Sequence, residues 1–136
     1  MQTVSCIVPA NPGRIGARMG QTHITVRIAN PTDPKRYQEL EFLVDSGAVY
    51  TVVPKKILKE IGISPHSKRS FLLANGEKFV RQMGNAGVVY KKRRGAATVI
   101  FGEKGDLPLL GVTALEALGL IFDPMHRKLK PIALTI

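Results

Sequence analysis

The segment "FLVDSGAVYTVVP", Phe42 to Pro54, places one carboxylate, Asp45, between an apolar strand-like run and the small residues Ser46, Gly47 and Ala48. A carboxylate removed from water without a partner is costly. Such an acid is either neutralised by a neighbour or kept for proton transfer to and from a substrate. Asp-Ser-Gly is also good turn chemistry, with the carboxylate accepting backbone N–H bonds, so on the triplet alone an ordinary turn is the favoured reading. Other chemistries have less support. His23, His66 and His126 are scattered without ligand spacing, and the single cysteine, Cys6, excludes a cysteine-based zinc site. No nucleophile–histidine pairing is visible. Neither a metal nor a cofactor is expected.

The surrounding periodicity shows what must position Asp45. "THITVRIAN" alternates as a strand from Thr22, with Ile24, Val26 and Ile28 on one face. "PTDPKR" reads as a turn or loop, and "ELEFLV" as a strand whose continuously apolar end implies burial on both faces. "TVV" is a short strand. In "PKKILKEIG" the period changes to helical, with Pro54 at the start, Ile57, Leu58 and Ile61 on one face, and Gly62 at the end. "RSFLLANGEKFVRQ" reads as a hairpin turning at Asn75-Gly76, where both residues tolerate positive φ. Strands "GVVYK", "AATVIFG" and "LPLLG" follow, then a small helix "VTALEALG" with Leu115 and Leu118 inward, and a last strand "KLKPIAL". Short strands dominate and helices do not alternate with them. The expectation is an all-β fold, a small closed barrel with one or two short helices.

The length, 136 residues, suits one domain. Residues 1–20, with their prolines and glycines, read as a flexible N-terminal tail, and 21–136 as the folded unit. "GRIGARMG" has the wrong spacing for a dinucleotide loop. No apolar run is long enough for a membrane span, the N-terminus lacks the pattern of a secretory signal, and a lone cysteine suits a reducing, cytoplasmic setting. The net charge of +10, from 20 basic and 10 acidic residues, attracts polyanions and acidic partners. The densest basic run, "YKKRRG" (Tyr90 to Gly95), reads as a solvated hairpin tip. A nucleic-acid patch is possible there but not favoured, because no stacking aromatics are interleaved with the charges.

Three features stand in order: the Leu43-Val44-Asp45-Ser46-Gly47-Ala48 segment, a glycine-turn hairpin about 30 residues on, and "LPLLGVTALEALGL", in which Leu-Leu-Gly runs into a helix. This order resembles the retropepsin-like aspartic peptidases, the family of retroviral proteases and their cellular and prokaryotic relatives, over roughly Thr22 to Ile132. The resemblance implies that Asp45 is the catalytic acid. Ser46 would reach across to a second subunit, Gly47 would let backbone N–H groups approach the carboxylate, and Ala48 would fit a crowded loop. Leu73, Ala74, Asn75, Gly76 and Glu77 would form the tip of a flap over an extended polypeptide substrate. Val49, Val53, Leu110 and Gly111 would lie near the site as pocket or core. Only Asp45 of the four aspartates sits in the triplet, so the resemblance further implies a homodimer with one Asp45 from each subunit, and a final segment from Leu129 to Ile136 that can join a shared sheet. Retroviral members carry an acid and an arginine where this chain has Val49 and Val112, which places the likeness on the cellular or prokaryotic branch. The function expected is an aspartic endopeptidase. The alternative is a catalytically weak module of the same fold that dimerises or binds polyanions.

Overall fold

The computed structural model describes residues 21–73 and 75–132. Chain order is β1 (His23–Asn30), β2 (Asp33–Val44), β3 (Thr51–Pro54), α1 (Lys55–Glu60), β4 (Ser67–Leu72), β5 (Lys78–Tyr90), β6 (Arg93–Gly102), β7 (Leu109–Leu110), α2 (Val112–Ala117), β8 (Leu120–Asp123) and β9 (Lys128–Pro131). The expected all-β class is observed, with two short helices. Strands β1 to β7 form one sheet in the order β1-β2-β7-β3-β6-β5-β4, and a further β1–β5 pairing closes it into a ring. The closing strand is β5. Its first half pairs with β4 and its second half with β1, while β6 runs beside it from Met83 to Tyr90.

Closure follows from the residue pattern. Val26, Ile28, Phe42, Val44, Val88, Val99 and Phe101 alternate inward along their strands and have almost no exposed surface. Leu58 and Ile61 of the α1 segment, and Leu115 and Leu118 of the α2 segment, plug the same core. A second cluster, Val52, Phe71, Met83, Ile100 and Leu109, fills the space beneath the β4–β5 hairpin. No helix among the described residues is long and apolar enough to cross a membrane.

The structure corrects two local expectations. "PTDPKR" is not a six-residue loop: the turn is Pro31-Thr32 and β2 begins at Asp33. The Asn30 side chain makes so tight a turn possible, its Oδ1 accepting from the N–H groups of Thr32 (2.9 Å) and Asp33 (3.2 Å) while its Nδ2 donates to Ile61 O. The ladder then skips from Asn30↔Asp33 to Ala29↔Tyr37. Pro34 therefore sits in a bulge, where its missing N–H costs nothing. The second correction concerns "FVRQ" and "GVVYK", which are one continuous strand, β5. Gly84 in its middle does not break it. A Cβ there would meet the Phe101 ring at 2.8 Å, so glycine makes room for the core aromatic. "YKKRRG" is the β5–β6 hairpin end, with Lys91-Lys92 as its turn, as expected.

Candidate active site

β7 is only two residues long, yet it positions the Asp45 loop. It lies parallel to the end of β2 (Leu43↔Leu109, Val44↔Leu110) and antiparallel to β3 (Val52↔Leu109). The strand before Asp45 and the strand after it are thus held apart by a third, and residues 45–50 must bridge the gap. Backbone bonds stitch this bridge to the segment after β7. Asp45 N donates to Leu110 O (3.1 Å), Val112 N to Ala48 O (2.7 Å), and Thr113 N to Val49 O (3.1 Å). Ala48 N closes the turn on Asp45 O (3.0 Å).

Side chains complete the lattice. The Thr113 hydroxyl donates to Val49 O (2.9 Å), and the buried Thr51 hydroxyl accepts from Gly111 N (3.0 Å). Gly111 has no room for a side chain, since a Cβ would lie 2.4 Å from Tyr50 O. Leu-Leu-Gly is therefore an apolar pair that joins the sheet, followed by the one residue that lets α2 start against the loop.

Within this frame the Asp45 carboxylate is half-buried, not enclosed as the apolar flank implied. Its strand is buried on both sides, but the acid sits one residue past the strand's end. Among the described residues its only side-chain hydrogen bond comes from Gly47 N to Oδ1 (2.9 Å), and no cation pairs with it. A Cβ at Gly47 would stand 3.3 Å from that oxygen. Ser46 is exposed and its hydroxyl has no partner among the described residues, while Ala48 is fully buried. Chemically, this is an ionisable acid presented at a surface by a rigid loop.

The remaining named residues divide. Val49 is 40% exposed beside the acid. Val53 and Leu110 are fully buried in the main core and line no open surface. At the hairpin tip Leu73 N donates to Glu77 O (2.8 Å) and Gly76 N to Leu73 O (2.9 Å). Only Gly76 takes a positive φ (90°), not both Asn75 and Gly76. Asn75 contributes through its side chain instead, accepting from Glu77 N and donating to the Glu77 carboxylate. The structure of Ala74 lies outside the described residues. So do the tail, residues 1–20, and the last four residues of the segment offered for a shared sheet. Leu129 to Pro131 of that segment lie in β9, which pairs with β8.

Sequence reasoning missed Tyr50, Thr51, Arg69 and Thr113. Arg69, on β4, donates to the Tyr50 hydroxyl and lies over its ring, and Tyr50 meets Phe71 edge-on at 6.4 Å. The base of the hairpin is thereby tied to the acid's loop. A hydroxyl in an apolar strand, Thr51 before Val52 and Val53, was the available signal.

A ring-shaped sheet with a strand-crossed Asp-Ser-Gly-Ala loop and a hairpin anchored beside it defines the scaffold of a retropepsin-type aspartyl protease. Residues 24–112 match the family model described as aspartyl protease, and the chain belongs to that family. No curated protein matches the sequence significantly.

Proposed function

We propose that the protein is an aspartic endopeptidase that works as a homodimer. The observation that carries this reading is the Asp45 carboxylate, rigidly presented, half-buried and without a cation among the described residues, in a chain with no second Asp-Ser-Gly triplet. Two copies meeting about a two-fold axis supply the missing acid. Carboxylates roughly 3 Å apart cannot both ionise, so the pair holds one proton. The ionised Asp45 takes a proton from a water molecule as its oxygen attacks the peptide carbonyl carbon. The protonated Asp45 of the other subunit gives its proton to the carbonyl oxygen. The resulting diol collapses with proton transfer to the amide nitrogen, the C–N bond breaks, and a carboxylic acid and an amine leave.

The Ser46 hydroxyl, unpartnered among the described residues, is available to bond across the two-fold axis. The 73–77 tip serves as a flap that closes over an extended substrate and excludes water. Val49 and Leu73, neither of them buried, offer apolar surface to substrate side chains. A lone cysteine fits a cytoplasmic setting. Incubation of the wild type and Asp45→Asn with an unfolded protein substrate, across about pH 4 to 7 where a carboxylate dyad can hold one proton, tests the reading together with a solution mass. Cleavage by the wild type alone, from a dimer, is the expected result. Cleavage that persists in Asp45→Asn, or comes from a strict monomer, sinks it.

A further inference from the structure

A cleft of about 670 Å³ opens between the start of β1, the β5–β6 hairpin tip and the β8–β9 ribbon. Its rim carries Lys91, Lys92, Arg93, Arg127 and Lys128, and no acidic residue lines it. Among the described residues none of these five cations forms an ion pair. The acid nearest in sequence, Asp123, is already held by Lys130 and His126 at 2.7 Å each. The floor is apolar, formed by Ile24, Leu120 and Leu129.

Two backbone features concentrate here. Lys91 (φ 54°) and Arg127 (φ 51°) are the only non-glycine residues with positive φ among the described residues, and both line the cleft. Side chains are strained in that conformation and glycine is not. Each turn thus keeps a cation where glycine would be the more stable choice. Strain retained at clustered positions points to a binding role.

We propose that this cleft docks an acidic stretch of polypeptide bearing apolar side chains, a segment of the substrate lying outside the scissile region. The inference rests on the peptidase reading for its choice of a polypeptide ligand. The apolar floor favours such a ligand over a nucleic acid, whose phosphates would use only the rim. Of the two rings on its lining, Tyr90 lies under the Lys91 ammonium at 5.3 Å and is not free to stack a base, which leaves the His23 imidazole alone, too little for a stacking platform. Residues 1–20 hold two arginines and no acid, so their charge opposes occupancy of a cationic cleft. The cleft also adjoins the acid's own strand. Thr22, on its wall, accepts from Val44 N (2.8 Å), one residue before Asp45.

The test uses full-length Asp45→Asn protein, which leaves a probe uncut, and fluorescence anisotropy with labelled 12-residue probes. These are an alternating Glu/Leu peptide, an all-Glu peptide, a Lys/Leu peptide and an RNA oligonucleotide. The Glu/Leu peptide is expected to bind best and to weaken as salt rises. Lys92→Glu/Lys128→Glu should weaken it about tenfold or more, and Lys91→Gly about 2- to 5-fold while raising Tm. Tighter binding of RNA or of the all-Glu peptide overturns the proposal. So does unchanged affinity in the charge-reversed variant, or a shift of that variant's subunit equilibrium with peptide affinity intact. Binding is read without catalysis, so a failure of peptidase activity leaves this result independent.

Discussion

Asp106 accepts two hydrogen bonds from Arg81 (2.7 and 3.0 Å) and a third from Glu103 N (2.9 Å), and its side chain is 2% exposed. Asp45 accepts one, from Gly47 N, and stands half-buried with no cation among the described residues. The first acid is saturated. Its bidentate partner fixes the 103–106 turn against β5, and neither charge is available to a substrate. The second acid is held chiefly through the main chain, with one carboxylate bond: the Leu110, Ala48 and Val49 carbonyls bind backbone N–H groups around it, and Gly47 N reaches its Oδ1. A fold can thus spend an aspartate on stability by satisfying its oxygens, or reserve one for chemistry by fixing its main chain and leaving most of its carboxylate unbonded.

The largest test of that contrast is a pair of single variants. Arg81→Ala leaves a buried carboxylate without its counter-ion and should cost about 3–5 kcal/mol. Asp45→Asn should change stability by no more than about 1 kcal/mol, since one exposed-side hydrogen bond is affected. Urea unfolding of both proteins checks the difference. Comparable losses in the two would mean that Asp45 is a structural acid too, and the contrast would disappear.

The two acids also differ in how legible they were. Asp45 could be found because its setting is local: an apolar strand, two small residues and a buried alanine in immediate succession. The Leu-Leu-Gly-helix segment was visible for the same reason, and the glycine in it has a steric cause. Asp106 gave no signal. It sits in an ordinary Lys-Gly-Asp turn, and its partner Arg81 lies 25 residues earlier on a strand read as one arm of a hairpin. The Thr51–Gly111 bond spans 60 residues and depends on β7 entering between β2 and β3, a topology that no residue pattern reports. The exposure of Asp45 was misjudged because burial was inferred from the strand, while the acid stands just beyond its end. Local chemistry is written in sequence neighbours; long-range partnership is written in topology.

Next in size are the variants that loosen the frame around Asp45 without touching it. Gly111→Ala forces a Cβ against the Tyr50 backbone and should cost about 3 kcal/mol or more, because backbone cannot swing aside as a side chain can. Thr51→Val keeps the volume but leaves Gly111 N buried without an acceptor, for about 1–3 kcal/mol. In both, peptide cleavage should fall further than stability alone explains, measured at a temperature where each variant is fully folded. Full activity in folded Thr51→Val would show that the loop tolerates slack, and that its rigidity is not what distinguishes it from the Asp106 turn.

Asp123 offers the intermediate case and the smallest effect. It sits at the surface with Lys130 and His126, and hydrogen bonds first from Lys130 and then from His126 hold its carboxyl well below the usual carboxylate range. A depressed folded-state pKa contributes stability above the unfolded value, about 4. That contribution is lost as pH falls through the folded value. Asp123→Asn should therefore lower Tm slightly at pH 7 and flatten its decline below about pH 4. Solvent screens such a pair, so the change at neutral pH should be the least of the series. A Tm loss as large as that of Arg81→Ala would show that exposure does not grade these acids. The distinction would then rest on the cation alone, which Asp106 and Asp123 have and Asp45 lacks among the described residues.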